Sequence, residues 1–96
     1  MAGKVELVNV VQEVLEGKGT KYNKEIVGQV IDAVLEGIVT TTVQENKLQL
    51  MGFGNFEVRE RAARKGRNPQ TSEEIDIPAK KVPVFKPGKA FKESVL

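Results

Sequence analysis

The sequence predicts an α+β protein: two helices, a short antiparallel sheet extended into a long β-hairpin arm, and a short C-terminal helix. Three observations point there. Apolar residues recur at spacings of three and four through the first half. Short alternating stretches punctuated by Gly and Pro take over in the second. Charge divides along the same line: Met1 to Asn46 holds four Lys against seven acids, whereas Lys47 to Leu96 holds eleven Lys or Arg against six acids. An acidic helical half joined to a basic extended half suits a scaffold coupled to a surface for anions.

Lys4 to Glu16 reads as an amphipathic helix, with Leu7, Val8, Val11, Val14 and Leu15 on one stripe and Gly17 and Gly19 ending it. Lys18 to Lys21 is a polar loop, and Asn23 is placed to cap the next helix by accepting a bond from a free first-turn amide. In that second helix Ile26/Val27, Val30/Ile31, Val34/Leu35 and Ile38/Val39 form doublets every four residues, a stripe wide enough to bury against more than one neighbour, and the pattern runs to about Val43. Gly28 and Gly37 lie inside it and mark either close helix approach or simple tolerance.

Glu45-Asn46 reads as a turn and Lys47 to Met51 as a half-buried strand with Leu48 and Leu50 inward. Gly52 and Gly54 flank Phe53 in a tight connection, and Phe56 to Arg61 resumes as a strand. Gly66 to Gln70 reads as the hairpin turn, with Ile75 and Ile77 alternating with acids on the returning strand. The arm spans about residues 59–80, and its outer part has little apolar surface to bury, so it projects into solvent. Pro78 and Pro83 confine the return to edge or irregular pairing, and Pro87-Gly88 introduces a short helix from about Lys89 to Val95. Phe53, Phe56 and Phe85 are the aromatic anchors; apolar neighbours and Gly flanks favour core packing over stacking on bases.

At 96 residues the chain is a single domain. A chain so short buries only about 60 to 65% of its unfolded surface, so association with further copies is expected. It contains no Cys and no His, which removes disulfides, thiolate metal sites and the commonest general base. Catalysis would have to use carboxylates, Lys or Tyr22, and no catalytic residue, metal or cofactor is expected. The start has no charged-then-apolar leader and wholly apolar runs are short, so an intracellular, soluble protein without a membrane partner is expected.

Met51 to Thr71, MGFGNFEVRERAARKGRNPQT, is the most informative stretch. After Val58, Arg59, Arg61, Arg64, Lys65 and Arg67 stand against the lone Glu60, a charge density suited to a polyanion such as nucleic acid. The segment from Gly52 to Thr71, joined by IPAKKVPVFKPGKAFKESV from Ile77 to Val95, resembles the bacterial histone-like HU and integration host factor family, HU most closely. With the second helix included, the resemblance covers nearly the whole chain.

That resemblance implies an intertwined homodimer whose two arms embrace double-stranded DNA in the cytoplasm, on the nucleoid. It further implies that Pro69 wedges between base pairs, supported by Arg67, Asn68 and Gln70, with Arg59, Arg61 and Arg64 in the minor groove and Lys65 on phosphates. Lys81, Lys86 and Lys89 would add phosphate contacts near the arm base, with Lys4 and Lys92 weaker candidates, and Phe53, Phe56 and Phe85 would lie in the dimer core. The alternatives are a sequence-specific integration-host-factor-like subunit, or a small basic RNA-binding accessory protein; RNA could also be a secondary ligand. Two departures from the family pattern stand out. The connection from Gly17 to Asn23 is longer than usual, and Ser72 follows NPQT where Gly is common, which raises the question whether the backbone there needs a positive φ.

Overall fold

The computed structural model describes Met1 to Leu96. In chain order it contains α1 (Lys4–Gly17), α2 (Lys24–Glu45), β1 (Lys47–Leu50), β2 (Gly54–Arg61), β3 (Arg64–Arg67), β4 (Glu74–Ile77), β5 (Lys80–Pro87) and α3 (Lys89–Ser94). This is the α+β class. The chain divides into two compact units, Met1–Val39 and Thr40–Leu96.

In the first unit, the stripes of α1 and α2 bury Val8, Val27 and Ile31, with Val11 and Leu15 packed against them. Lys4 Nζ donates to Asp32 Oδ2 at 2.7 Å, a bridge between two half-exposed side chains. Gly19 rather than Gly17 stops α1. At φ +86° Gly19 takes the left-handed conformation. Its N–H donates to the Glu16 carbonyl at 3.0 Å while that of Thr20 donates to Leu15 at 2.9 Å, the paired bonds of a Schellman ending. Gln12 Nε2 then holds the Tyr22 carbonyl at 2.9 Å, and Asn23 Oδ1 accepts the Ile26 N–H at 2.9 Å as the expected cap of α2. Gly28 is tolerated rather than required, since a Cβ there would only graze Val8 at 3.9 Å.

α2 runs two residues beyond the expected end. Over an 18-residue window its mean hydropathy is 1.5, so by length and composition it could cross a membrane, although no wholly apolar run is long. Only 17% of that window is buried within the chain. Val30, Val34, Leu35, Val39 and Val43 are all more than half exposed.

In the second unit β1, β2 and β5 form an antiparallel sheet in that order, leaving β5 at an edge. There Pro83, opposite Val58, costs the sheet no interior hydrogen bond. The β1–β2 connection is a tight turn in which Phe53 N–H donates to the Leu50 carbonyl at 3.1 Å. Gly52 supplies the positive φ, +82°, that the third position of a type II turn needs. Phe56 lies opposite Phe85 with ring centroids 4.7 Å apart. Phe53 packs on Phe85 at 5.4 Å and on Phe91 of α3 at 5.5 Å. The sequence reading named three anchors; Phe91 is a fourth, carried on a helix whose single turn-and-a-half gives too little periodicity to mark an inward face. The cluster stays open, with Phe53, Phe85 and Phe91 about two-fifths exposed.

Beyond Ala62 and Ala63 the hairpin continues as a separate two-stranded ribbon, β3 with β4. Here the expected turn is corrected outward. Gly66 is paired with Ile75 inside the ribbon, and the loop runs from Asn68 to Glu73. Gly66 therefore does not reverse the chain; a Cβ there would meet only Ile77, nearest at Cδ1 at 2.8 Å, the far end of a flexible side chain that can turn aside.

Candidate nucleic-acid interface

Side chains alternate across a strand, so the sheet register sorts the predicted contact residues by face. Asn55, Glu57, Arg59 and Arg61 of β2 share one face with Lys47 of β1 and with Lys80, Val82, Val84 and Lys86 of β5. Leu48, Phe56, Val58, Pro83 and Phe85 lie on the other. Arg59, Arg61 and Lys86 are thereby brought together, and Lys80 joins them with Lys47, which nothing in the sequence marked as a contact. Lys81 is not brought to this group: it pairs with Glu60 on the opposite face.

Glu57 is the hub of the cationic face. Its carboxylate lies 3.4 Å from Arg59 Nε and 3.8 Å from both Lys47 Nζ and Lys86 Nζ. The Glu57 side chain is only 17% exposed while the three cations are about half exposed, so the carboxylate sits beneath a fringe of positive groups. Cross-strand and diagonal spacing on one sheet face puts all four within reach of each other. One anion among three cations leaves charge over for an external anion.

Lys86 also borders an open groove beside the β1–β2 turn and α3, lined in part by Asn55, Lys89 and Lys92. Lys89 pairs loosely with Glu93 at 3.9 Å along α3 and remains 90% exposed. Lys4 lies on α1, occupied by Asp32.

On the ribbon, Lys65 lies opposite Asp76 and Arg67 opposite Glu74 on one face, while Arg64, Gly66, Ile75 and Ile77 share the other. The tip loop is closed by backbone bonds on both sides of Asn68. Its N–H donates to the Glu73 carbonyl at 2.9 Å and its carbonyl accepts the Ser72 N–H at 2.8 Å. Asn68 Oδ1 also accepts the Gln70 N–H at 2.9 Å, and Thr71 Oγ1 accepts the Glu73 N–H at 3.3 Å. Pro69 follows Asn68 as the second residue of the loop, flanked by these bonds. Ser72 has φ +61°, so the backbone here does require the left-handed conformation that glycine adopts more cheaply.

At the start of α1, the Gly3 N–H donates to Glu6 Oε2 at 2.8 Å and, with the N–H of Glu6 itself, holds that carboxyl below its ordinary value.

The family model described as bacterial DNA-binding protein matches residues 3–96. DNA-binding protein HU of Staphylococcus aureus (strain COL) is 55% identical over 92 residues, covering 96% of this chain and 97% of its own. DNA-binding protein HU 1 of Bacillus subtilis (strain 168) is 54% identical over 92 residues, covering 96% and 95%. Among solved structures, an Anabaena HU–DNA cocrystal superposes with a TM-score of 0.81 at 45% identity, covering 98% of this chain and 97% of that one.

Proposed function

The chain belongs to the bacterial DNA-binding protein family, and from that premise we propose that it is an architectural protein that bends and compacts double-stranded DNA as a homodimer, with little sequence preference. The observation that carries this reading is the shared face of Arg59, Arg61, Lys86, Lys47 and Lys80, which leads along the hairpin to a tip presenting Pro69. Phosphates on either side of a groove can neutralise such a face without any base being read.

At the tip, Pro69 offers a rigid apolar ring without an N–H, suited to wedging between base pairs; Arg64, Lys65 and Arg67 supply cationic contacts around it. Unstacking a base step costs a few kcal/mol, which the wrapped cationic surface offsets. Lys86 and Lys89 extend the phosphate track beside α3; Lys81, turned to the other face, contributes less.

The homodimer follows from how little one chain buries. Only Val8, Val27 and Ile31 are buried apolar residues, while the α2 stripe and three of the four Phe rings remain open. A second copy covers those surfaces better than lipid does, because the apolar stripe of α2 is flanked by Lys24, Glu25, Asp32, Glu36 and Glu45. The protein then acts in the cytoplasm, on the nucleoid, and without an enzymatic step.

A gel-shift panel of linear, nicked, pre-bent and random-sequence duplexes, with an RNA duplex as control, tests the function. Comparable binding to all linear sequences and tighter binding to nicked or pre-bent DNA is expected. Binding confined to one sequence would favour the integration-host-factor-like reading, and preference for RNA would overturn DNA as the partner.

A further inference from the structure

We propose that Asn68 is a positioning residue for the tip: it holds the loop in one conformation so that the Pro69 ring is presented edge-on to a base step. The proposal rests on the wedge reading above and adds a role that the wedge itself does not require. All three polar groups that Asn68 directs inward are engaged: the N–H with Glu73, the carbonyl with Ser72, and Oδ1 with the Gln70 N–H. These bonds span the proline. The bond from Oδ1 reaches over Pro69 to the next residue, forming a side-chain turn that substitutes for a backbone one.

The need for it is specific to this loop. Pro69 lacks an N–H, so the chain cannot close a backbone bond at that residue, and the ring clashes with a helical conformation at position 68. A short side-chain acceptor at 68 supplies the missing restraint. Position 72 is held in the left-handed region at φ +61° by a residue that adopts it reluctantly, so the loop depends on its hydrogen bonds more than a glycine-containing loop would. With Oδ1 occupied, what Asn68 can offer DNA directly is an N–H donor only, and a residue serving mainly as donor would be replaced poorly by aspartate, which when ionised only accepts.

The test compares Asn68→Ala, Asn68→Ser, Asn68→Asp, Pro69→Ala and the double variant Asn68→Ala/Pro69→Ala, each at saturating protein on short duplex fragments. Ligase-mediated circularisation reads bending and gel shift reads affinity. Asn68→Ala should lower circularisation roughly five- to tenfold, the factor set by freeing about one residue's backbone from a single well, with a smaller loss on nicked or pre-bent fragments. Asn68→Ser, whose hydroxyl oxygen can accept the same bond more weakly from one bond nearer the backbone, should recover part of the loss. Asn68→Asp should bend like the parent once saturated, although more protein is needed because of its charge. The double variant should be no worse than Pro69→Ala, because Asn68 acts through Pro69.

Parental bending by Asn68→Ala, or additive losses in the double variant, would overturn the positioning role while leaving the wedge intact. Loss in Asn68→Asp equal to that in Asn68→Ala would assign Asn68 to direct contact instead. Parental bending by Pro69→Ala would sink the wedge reading, and the positioning role with it.

Discussion

Gly54 lies against Phe85 so closely that a Cβ at position 54 would fall 2.7 Å from the ring and 2.6 Å from the Lys86 carbonyl. A flexible side chain could give way at that distance, but a paired backbone and a ring wedged among three others cannot. Gly54→Ala should therefore destabilise the protein by about 2–3 kcal/mol through overpacking, read as a lower denaturant midpoint with an unchanged slope. A loss below about 0.5 kcal/mol would mean that the aromatic cluster can shift.

At the arm tip the opposite substitution should help. Ser72 is held at φ +61°, a conformation costing a non-glycine residue about 1 kcal/mol. Ser72→Gly relieves that cost locally, so slower hydrogen exchange at the residue 72 amide is expected, with hardly any change in the global midpoint. Faster exchange would show that the added backbone entropy of glycine outweighs the strain.

Glu57 competes with any external anion for Lys47, Arg59 and Lys86. Glu57→Gln should tighten duplex binding several-fold at low salt and steepen its salt dependence, by ~0.9 in log slope for each further phosphate neutralised. Arg61→Ala should do the reverse on every sequence alike. Weaker binding by Glu57→Gln would mean that the carboxylate orders its cations more than it occupies them.

Because the apolar stripe of α2 and the Phe cluster are open in one chain, folding should be coupled to association. The thermal midpoint is expected to rise with protein concentration, and sedimentation should give twice the chain mass. Leu35→Asp, on the exposed stripe, should abolish both folding and association together. A concentration-independent midpoint with a monomer mass would remove the homodimer.

Glu6 gives a pH signature for α1. Its carboxyl is held below the ordinary value of 4.5 by the Gly3 N–H and by its own N–H. A depressed folded value contributes stability that is complete above the unfolded value and lost as pH falls through the folded one. Glu6→Gln should thus lower the melting midpoint at neutral pH, and the difference from the parent should shrink as pH falls below the unfolded value. NMR titration of the Glu6 carboxyl should place it below 4.5; a higher value would mean that the capping bond is not formed in solution.

Where local chemistry decides structure, the sequence was readable. Asn23 caps α2 because its short side chain reaches one free amide, and the apolar doublets of α2 need only a 3.6-residue period to be seen. Pro83 on an edge strand and Ser72 at positive φ followed from what those residues or their usual substitutes can adopt. What stayed hidden depends on pairing between distant residues. Gly66 resembles a turn residue until Ile77 is known to lie beside it. Lys81 resembles its neighbour Lys80 until the register turns the two to opposite faces. Glu57 looks like ordinary surface charge until the flanking strands bring Lys47 and Lys86 to it. The wide second stripe announced that something covers it, while the fourth Phe was masked by the brevity of its helix.

The outer ribbon has a consequence in time. Arg64, Lys65 and Arg67 on the outgoing side are matched in number by Glu73, Glu74 and Asp76 on the return, so beyond the alanine break the arm has no net charge, only an electric dipole. A dipole's pull fades faster with distance than that of a monopole and is screened within a Debye length of about 8 Å. Long-range capture then belongs to the sheet, where Lys47, Arg59, Arg61, Lys80, Lys81 and Lys86 outnumber Glu57 and Glu60. The expected order is that the body meets DNA first, at a rate that falls with salt, and that the arms engage afterwards, at a rate less sensitive to salt than the encounter.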